Sequence, residues 1–250
     1  MSVAGDQLRA AFVAVLQGRY GRSLLGRAWL VSPVVLVTTL VVALRWLVGA
    51  SQALSVLSLV LGIVLWNFFA GATSEGIGSI PARRALLQSG PDATWLLMGA
   101  TVAVQLVELV LGLATFLACQ CFLGPRPGPM AVNAAAPLAM LVAFTLGVAL
   151  VMVVLRARLG DADHLWKLVL AVGFWVTPVV YEIRMVPERL RPIVELNPMA
   201  RIINEVRGAI LHNVAPEPRH VVVTIAACLA VLGTGRWLAS RSAALIAERA

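Results

Sequence analysis

Long apolar segments constrain this chain more than any other feature of its sequence. The 250 residues are 60% hydrophobic and 13% charged, whereas a soluble domain is about 25% charged. A helix that crosses a bilayer needs about 20 mainly apolar residues, and segments of that kind nearly fill the chain. We therefore expect one all-α membrane domain over residues 1–250. Its six predicted spans lie at about 28–48, 54–77, 95–117, 134–155, 165–181 and 221–238.

Residues 5–20, ahead of the first predicted span, have the pattern of an amphipathic helix. Its apolar positions share one helical face, and they are Leu8, Phe12, Val15 and Leu16. A helix with one apolar and one polar face lies in the plane of the membrane surface. We therefore expect an interfacial helix at residues 5–20.

Residues 182–219 connect the fifth and sixth predicted spans and are too polar for a simple span. Asn197 can cap a helix whose first residue is Pro198, the residue type preferred there. The apolar positions that follow share one face, and they are Met199, Ile202, Ile203, Val206 and Ile210. Glu205 lies off that face. With residues 187–194, this pattern predicts two short amphipathic helices on the outer side of the membrane.

The positions of Lys and Arg predict the orientation, because cytoplasmic loops of membrane proteins carry an excess of both. Placing both termini in the cytoplasm puts Arg83 and Arg84 inside, and the six arginines of residues 182–219 are then offset by five glutamates. A multi-pass protein of the cytoplasmic (inner) membrane is predicted. The excess of 20 Lys+Arg over 12 Asp+Glu would indicate nucleic acid in a soluble protein. Here the arginines flank apolar segments, so membrane lipids are the expected partners and nucleic acid is not.

The sequence shows no residue pattern of a nucleotide or metal site. Residues 21–28 have the glycine spacing of a phosphate-binding loop but lack its Lys and its Ser/Thr. The three cysteines and three histidines lack the spacing of metal ligands. We expect no cofactor on this chain, so that ATP, if it drives the protein, is bound by another chain.

A membrane enzyme that acts on lipids is an alternative from a different functional class. It would need acidic and histidine side chains clustered at one face of the membrane. Asp161, Asp163 and His164 form the one such cluster in the sequence, and they follow basic residues in a short loop. A solvated turn, or a turn that faces a partner subunit, is the favoured interpretation. We expect no catalysis by this chain alone.

Glu108 falls near the middle of the third predicted span, where an acidic residue costs about 2.5–3.5 kcal/mol. Such a residue should face the bundle interior or water. Thr101, Gln105 and Gly112 share its helical face, and Asn67 lies in a similar stripe of the second span. One interpretation is helix packing through small residues and interhelical hydrogen bonds. The other is a polar path for a cargo with aromatic surfaces beside it, and both stay open.

Short motifs occur along nearly the whole chain. They are Arg19-Tyr20, Ser23-Leu24-Leu25-Gly26, Trp29, Pro33, Trp66-Asn67-Phe68-Phe69, Thr177-Pro178-Val179-Val180-Tyr181, Val186-Pro187, Asn197-Pro198-Met199 and Arg207. In this order they resemble the permease subunits of ABC-2 type polysaccharide exporters. That family moves O-antigen, capsule or teichoic-acid polymers.

The resemblance implies a homodimer of permeases with two copies of a cytoplasmic ABC ATP-binding subunit, which carries the ATP and Mg. It also implies a surface helix before the first span, a coupling helix between spans two and three, and two small outer helices between spans five and six. The cargo would be a lipid-linked polysaccharide moved outward. A drug or small-lipid exporter of the same superfamily is the alternative.

The candidate site residues fall into four groups. The candidate translocation path is Glu108, Gln105, Thr101, Asn67, Trp66, Phe68 and Phe69. The candidate cytoplasmic gate is Arg19, Tyr20, Arg22 and Trp29. The candidate contacts to the ATP-binding subunit are Arg83, Arg84 and Asp92, and plain topogenic charge is the other interpretation of the two arginines. The outer-side helix motif is Pro178, Tyr181, Asn197, Pro198 and Arg207.

Overall fold

The computed structural model describes residues 11–13, 15, 32–48, 53–78, 92–123 and 126–249. These residues are mainly helical, and no strand occurs among them. The nine helices that we number are α1 (Ser32–Val48), α2 (Ala53–Gly78), α3 (Ala93–Leu123), α4 (Ala135–Arg158), α5 (Ala162–Val176), α6 (Arg191–Glu195), α7 (Pro198–Leu211), α8 (Pro218–Arg241) and α9 (Ala243–Arg249). Two 3₁₀ turns, Pro129–Ala134 and Ile183–Met185, precede α4 and α6.

Four helical segments in the described part of the chain are long and apolar enough to cross a membrane. They are Val56–Gly78, Ala93–Phe122, Pro129–Arg158 and Pro218–Arg241. They correspond to the second, third, fourth and sixth predicted spans, which makes the chain a multi-pass helical membrane protein. The count of six stays a prediction, because α1 has 17 residues and α5 has 15. Residues 28–31 of the first predicted span lie outside the described residues.

The ends of two helices differ from the predicted ends by five residues or more, for reasons visible in the sequence. Helix α5 ends at Val176 instead of residue 181, because Thr177 precedes Pro178 and a residue before proline avoids the helical conformation. The Thr177 N–H still donates to the Gly173 carbonyl at 2.8 Å and closes the last turn. Helix α3 continues to Leu123, six residues beyond the predicted end at 117, because its apolar helix-forming sequence continues to that point.

Helix α2 lies at the centre of the bundle and contacts α1, α3, α4, α5 and α7. Its buried residues Leu57, Leu61 and Leu65 recur at steps of four and so lie on one face. Most of the buried apolar residues form one cluster around α2. A second, separate apolar cluster joins α3, α4, α8 and α9. Of the four described residues of the predicted interfacial helix, 11–13 and 15, Ala11 and Val15 are buried and belong to this second cluster. Its placement on the membrane surface stays a prediction.

Helices α4 and α8 pack along each other at two glycines. A Cβ atom built on Gly147 would lie 2.7 Å from the backbone nitrogen of Leu232, and one on Gly235 would lie 2.5 Å from the backbone oxygen of Gly147. No larger residue fits these positions without moving a helix. Close approach through small residues is typical of helix pairs in membranes, where packing rather than the hydrophobic effect drives association.

Helices α6 and α7 occupy the segment in which the sequence predicts two short helices. The backbone N–H of Met199 donates to Asn197 Oδ1 at 3.0 Å, so Asn197 is the N-cap of α7, as predicted, with Pro198 as the first residue. The predicted apolar face is buried. Glu205, predicted to lie off that face, is nevertheless only 8% exposed, because α8 packs against α7 on that side.

Glu205 is expected to destabilise the fold at neutral pH. Burial raises its carboxyl pKa above the usual value, and the positive charges of His220 and Arg201 oppose that rise. Because the folded state holds the proton more tightly than the unfolded state, stability falls as pH rises from the unfolded pKa to the folded one. Glu205→Gln should therefore raise the thermal midpoint near pH 7.5 and leave it unchanged near pH 4. The exposed Glu188→Gln serves as the control. A Glu205→Gln shift of equal size at both pH values would contradict this account.

Candidate functional site

A cavity of about 330 Å³ lies between α1, α2 and α3. Its lining residues are Ser32, Pro33, Leu36, Val37, Val64, Asn67, Phe68, Gln105, Glu108, Leu109 and Gly112. The α3 members recur at steps of three or four, and so they form one stripe of that helix. Gln105, Glu108 and Gly112 of the predicted polar stripe therefore border a cavity.

The structure brings four of the seven candidate path residues to the cavity: Glu108, Gln105, Asn67 and Phe68. Thr101 is not among the lining residues. It is fully buried, and its hydroxyl donates to the Leu97 carbonyl of its own helix at 2.9 Å.

Glu75 is a site residue that the sequence analysis missed. The Gln105 side-chain amide donates to Glu75 Oε2 at 3.2 Å, which joins α3 to α2 beside the cavity. Gly71 makes room for this contact, since a Cβ there would lie 3.0 Å from Gln105 Nε2. The signal was present in the sequence, because Glu75 follows Asn67 and Gly71 at steps of four and so belongs to the same stripe.

Trp66 and Phe69 lie in an aromatic cluster between α2, α4 and α5, away from the cavity. Ring centroids of Trp66 and Phe69 are 5.5 Å apart, and those of Phe69 and Phe144 are 5.6 Å apart. The indole N–H of Trp166 donates to the Thr73 hydroxyl at 3.0 Å. These two candidate path residues are therefore core residues, and Phe68 is the aromatic residue that lines the cavity.

Arg207 fastens α7 to the turn that follows α5 and to α2. Its Nε donates to the Ser58 carbonyl at 3.0 Å. Its Nη1 donates to the carbonyls of Pro178 at 2.6 Å and Tyr181 at 2.9 Å, and its Nη2 donates to that of Val179. The side chain is 2% exposed. We call Arg207 with these four carbonyls the arginine clamp.

The charge of Arg207 persists despite its burial. Burial lowers the pKa of Arg207 to about 10, and the carboxylate of Glu182 opposes this shift. The guanidinium is therefore protonated at neutral pH. Glu182 is itself buried. Its Oε2 lies 2.7 Å from Nε of Arg184 and 3.7 Å from Nε2 of His212.

The residues of the predicted outer-side motif meet at this turn. The Asn197 side-chain amide donates to the Thr177 hydroxyl at 2.9 Å, while its oxygen caps α7. The Tyr181 hydroxyl donates to the Val176 carbonyl at 3.0 Å, back onto the end of α5. Pro178 and Pro198 begin the turn and the helix. The motif therefore holds the turn that follows α5 against the start of α7. Its placement on the outer side of the membrane stays a prediction.

The other candidate residues are placed only in part. The gate residues Arg19, Tyr20, Arg22 and Trp29 and the coupling residues Arg83 and Arg84 lie outside the described residues. Asp92 is exposed just before α3, and its main-chain carbonyl accepts from the Leu96 N–H at 3.0 Å. All seven assignments stay predictions.

Asp161, Asp163 and His164 lie at the start of α5 rather than in a loop, with Asp161 at the N-cap position and the other two in the first turn. Arg156 Nε lies 3.5 Å from Asp163 Oδ2, and the Asp161 carbonyl accepts from the N–H of His164 at 3.0 Å. These contacts shape the turn between α4 and α5. Within the described part of the chain, no three His, Cys, Asp or Glu side chains group as metal ligands would.

The comparisons with known proteins agree with the resemblance seen in the sequence. No protein-family model matches the chain. The chain is 23% identical over 181 residues to the O-antigen export system permease protein RfbA of Myxococcus xanthus, covering 72% of this chain and 68% of that protein. It is 22% identical over 201 residues to the protein of the same name from Klebsiella pneumoniae, covering 80% and 78%. The predicted resemblance to ABC-2 type O-antigen export permeases is thus confirmed over most of the chain.

Proposed function

We propose that this chain is the membrane-spanning permease subunit of an ATP-driven exporter that moves a lipid-linked polysaccharide outward across the cytoplasmic membrane. Two copies would act with two copies of a separate ATP-binding subunit, which would supply ATP and Mg. Both termini would lie in the cytoplasm. The observation that carries the proposal is a cavity with four polar lining residues, Ser32, Asn67, Gln105 and Glu108, within the helices of a chain that resembles O-antigen export permeases.

The lining of the cavity suits the chemistry of a sugar. The amides of Asn67 and Gln105 both donate and accept hydrogen bonds, and the Ser32 hydroxyl does the same. Phe68 and Leu109 offer apolar surface to the carbon faces of a ring. In a low-dielectric bundle these hydrogen bonds are stronger than in water, and a polar group left without one is costly. An occupant that carries hydroxyl groups can make hydrogen bonds with these polar side chains, so that none of them is left without a partner.

The arginine clamp limits which parts can move during transport. ATP binding would close the ATP-binding subunits, push the cytoplasmic loops of the permease and open the path between the two copies. Arg207 joins α7, the 177–181 turn and α2 through four hydrogen bonds. These three elements would therefore move as one unit.

A drug or small-lipid exporter is the second candidate, and the apolar part of the same cavity favours it. Leu36, Val37, Val64 and Leu109 share the lining with the polar residues. The volume of about 330 Å³ falls at the lower end of the range for small-molecule sites, about 300–1,000 Å³. The path variants below distinguish the two candidates when surface polymer and drug resistance are both measured.

Bulky residues in the cavity should block export without preventing assembly. Gln105→Trp and Gly112→Trp would fill the space, and Val110→Trp is the matched control because Val110 is exposed on the same helix. The measurement is surface polymer per assembled complex in cells that lack the native gene. We expect loss of export for the two cavity variants and normal export for Val110→Trp.

Substitutions of Glu108 distinguish a cargo path from helix packing. If Glu108 only joins helices, Glu108→Leu should destabilise the chain by about 1–2 kcal/mol, the scale of a lost interhelical hydrogen bond, and Glu108→Gln should be nearly silent. If it lines a wet path, neither change should impair folding. Loss of assembly in step with loss of export, for every cavity substitution, would refute the path.

A further inference from the structure

Two arginines stack on tryptophans at the end of the bundle where α3 begins and α8 ends. The guanidinium carbon of Arg236 lies 4.8 Å from the centre of the Trp95 ring, and that of Arg241 lies 4.6 Å from the centre of the Trp237 ring. Attraction between a cation and a ring face holds both guanidinium groups in place. Tryptophans at the ends of spans mark the membrane–water interface, so both charges lie at the depth of lipid headgroups.

Within the described part of the chain, the side chains of Arg236 and Arg241 make no hydrogen bond and no ion pair, so the stacked rings are the only partners of their guanidinium groups there. Asp92 lines a small cavity with Arg236 and Ser240, and the Ser240 hydroxyl donates to the Trp237 carbonyl at 2.9 Å. A guanidinium has five N–H donors, and its fork geometry matches the oxygens of a phosphate.

An exposed apolar row on α8 leads to these arginines. Ile225, Leu229, Gly233, Trp237 and Arg241 follow one another at steps of four, and so they form one oblique row across the exposed side of the helix. Leu229 is 58% exposed and Trp237 is 52% exposed. No atom would lie within 4 Å of a Cβ built on Gly233, so the row has a notch between two large apolar side chains. Its last member is a cation.

We propose that this row of α8 binds one anionic phospholipid. An acyl chain lies along Ile225, Leu229 and the Gly233 notch, and the phosphodiester accepts hydrogen bonds from Arg241, while Arg236 adds a second positive charge at the same end of α8. The two arginines favour an anionic headgroup over a zwitterionic one. The apolar row behind them favours a lipid over free phosphate. The site needs only a membrane around the chain, so it does not depend on the proposed transport function.

The test compares two lipids with the same acyl chains, dioleoyl-phosphatidylglycerol and dioleoyl-phosphatidylcholine, on the purified full chain in neutral detergent. Native mass spectrometry gives the affinity of each, and thermal unfolding gives the stabilisation. We expect tighter binding of phosphatidylglycerol. The double variant Arg236→Gln/Arg241→Gln should weaken it about 30-fold, since each interfacial arginine contributes about a factor of five, and should leave phosphatidylcholine unchanged. Arg219→Gln, at the far end of α8, is the control and should change neither.

Three further arms make the outcome decisive. Inorganic phosphate should not stabilise the chain. Gly233→Phe should weaken the binding of phosphatidylglycerol, because the ring fills the notch and leaves the charge unchanged. Should the double variant misfold, Arg236→Lys/Arg241→Lys keeps both charges without the fork and should give an intermediate loss. Equal affinity for the two lipids, or a double variant that keeps the preference, would overturn the proposal. So would disulfide cross-linking of Leu229→Cys between two copies in membranes, which would make this row a protein interface.

Discussion

Replacing Arg207 with methionine is expected to destabilise the folded chain by about 3 kcal/mol or more, because four backbone carbonyls lose a charged donor at once. Methionine fills much of the volume but has no donor. The carbonyls of Ser58, Pro178, Val179 and Tyr181 would each lose the Arg207 hydrogen bond. A buried carbonyl without a donor costs about 1–3 kcal/mol. Glu182 would also lose the nearby positive charge of Arg207. The measurement is unfolding of the purified chain by sodium dodecyl sulfate in mixed micelles.

Two further variants test whether the arginine clamp is responsible. Arg207→Lys keeps the charge but has a single nitrogen, so it cannot reach carbonyls on both sides, and an intermediate loss is expected. Gly62→Ala would place a methyl group against Val179 and the Arg207 guanidinium and should also destabilise. Gly78→Ala, on the same helix, meets no atom within 4 Å and is its control. Arg189→Met, at an exposed arginine, controls for loss of charge. If Arg207→Met were as stable as Arg189→Met, the clamp would have no structural role.

The long helices could be predicted because each depends on local sequence. Apolar runs locate the four spanning helices, and Pro178 explains why α5 stops at Val176. The cap at Asn197 was likewise visible, because a side chain that bonds a backbone N–H two residues on needs no distant partner. Local sequence therefore located these helices to within a few residues at most of their ends, and it missed the ends of α3 and α5 by five or six residues.

The partners of each helix face could not be predicted in the same way. Spacing places Asn67 and Trp66 on α2, but it does not say that α1 and α3 border a cavity beside Asn67 while α5 packs against Trp66. Arg207 contacts Ser58 across 149 residues of sequence, so its motif was visible and its contacts were not. Glu205 shows the same limit, since its burial depends on α8.

A substitution at the glycine contact between α4 and α8 is expected to lower the stability of the folded chain. Gly147→Ala would bring a methyl group to 2.7 Å from the nitrogen and 2.8 Å from the Cα of Leu232. Both are backbone atoms, which cannot rotate away as a side chain can, so the two helices must separate. Overpacking of this kind costs about 1–3 kcal/mol, and it should appear as easier unfolding in mixed micelles.

Gly233→Ala is the matched control for this variant, because it adds the same methyl group to a spanning helix at a position with no atom within 4 Å. Alanine is favoured over glycine in a helix by about 1 kcal/mol, so both variants gain the same propensity. The control should be neutral or slightly stabilised. The difference between the two then measures the packing of α4 against α8 alone. Equal stability of Gly147→Ala and Gly233→Ala would show that the two helices are free to separate at this point.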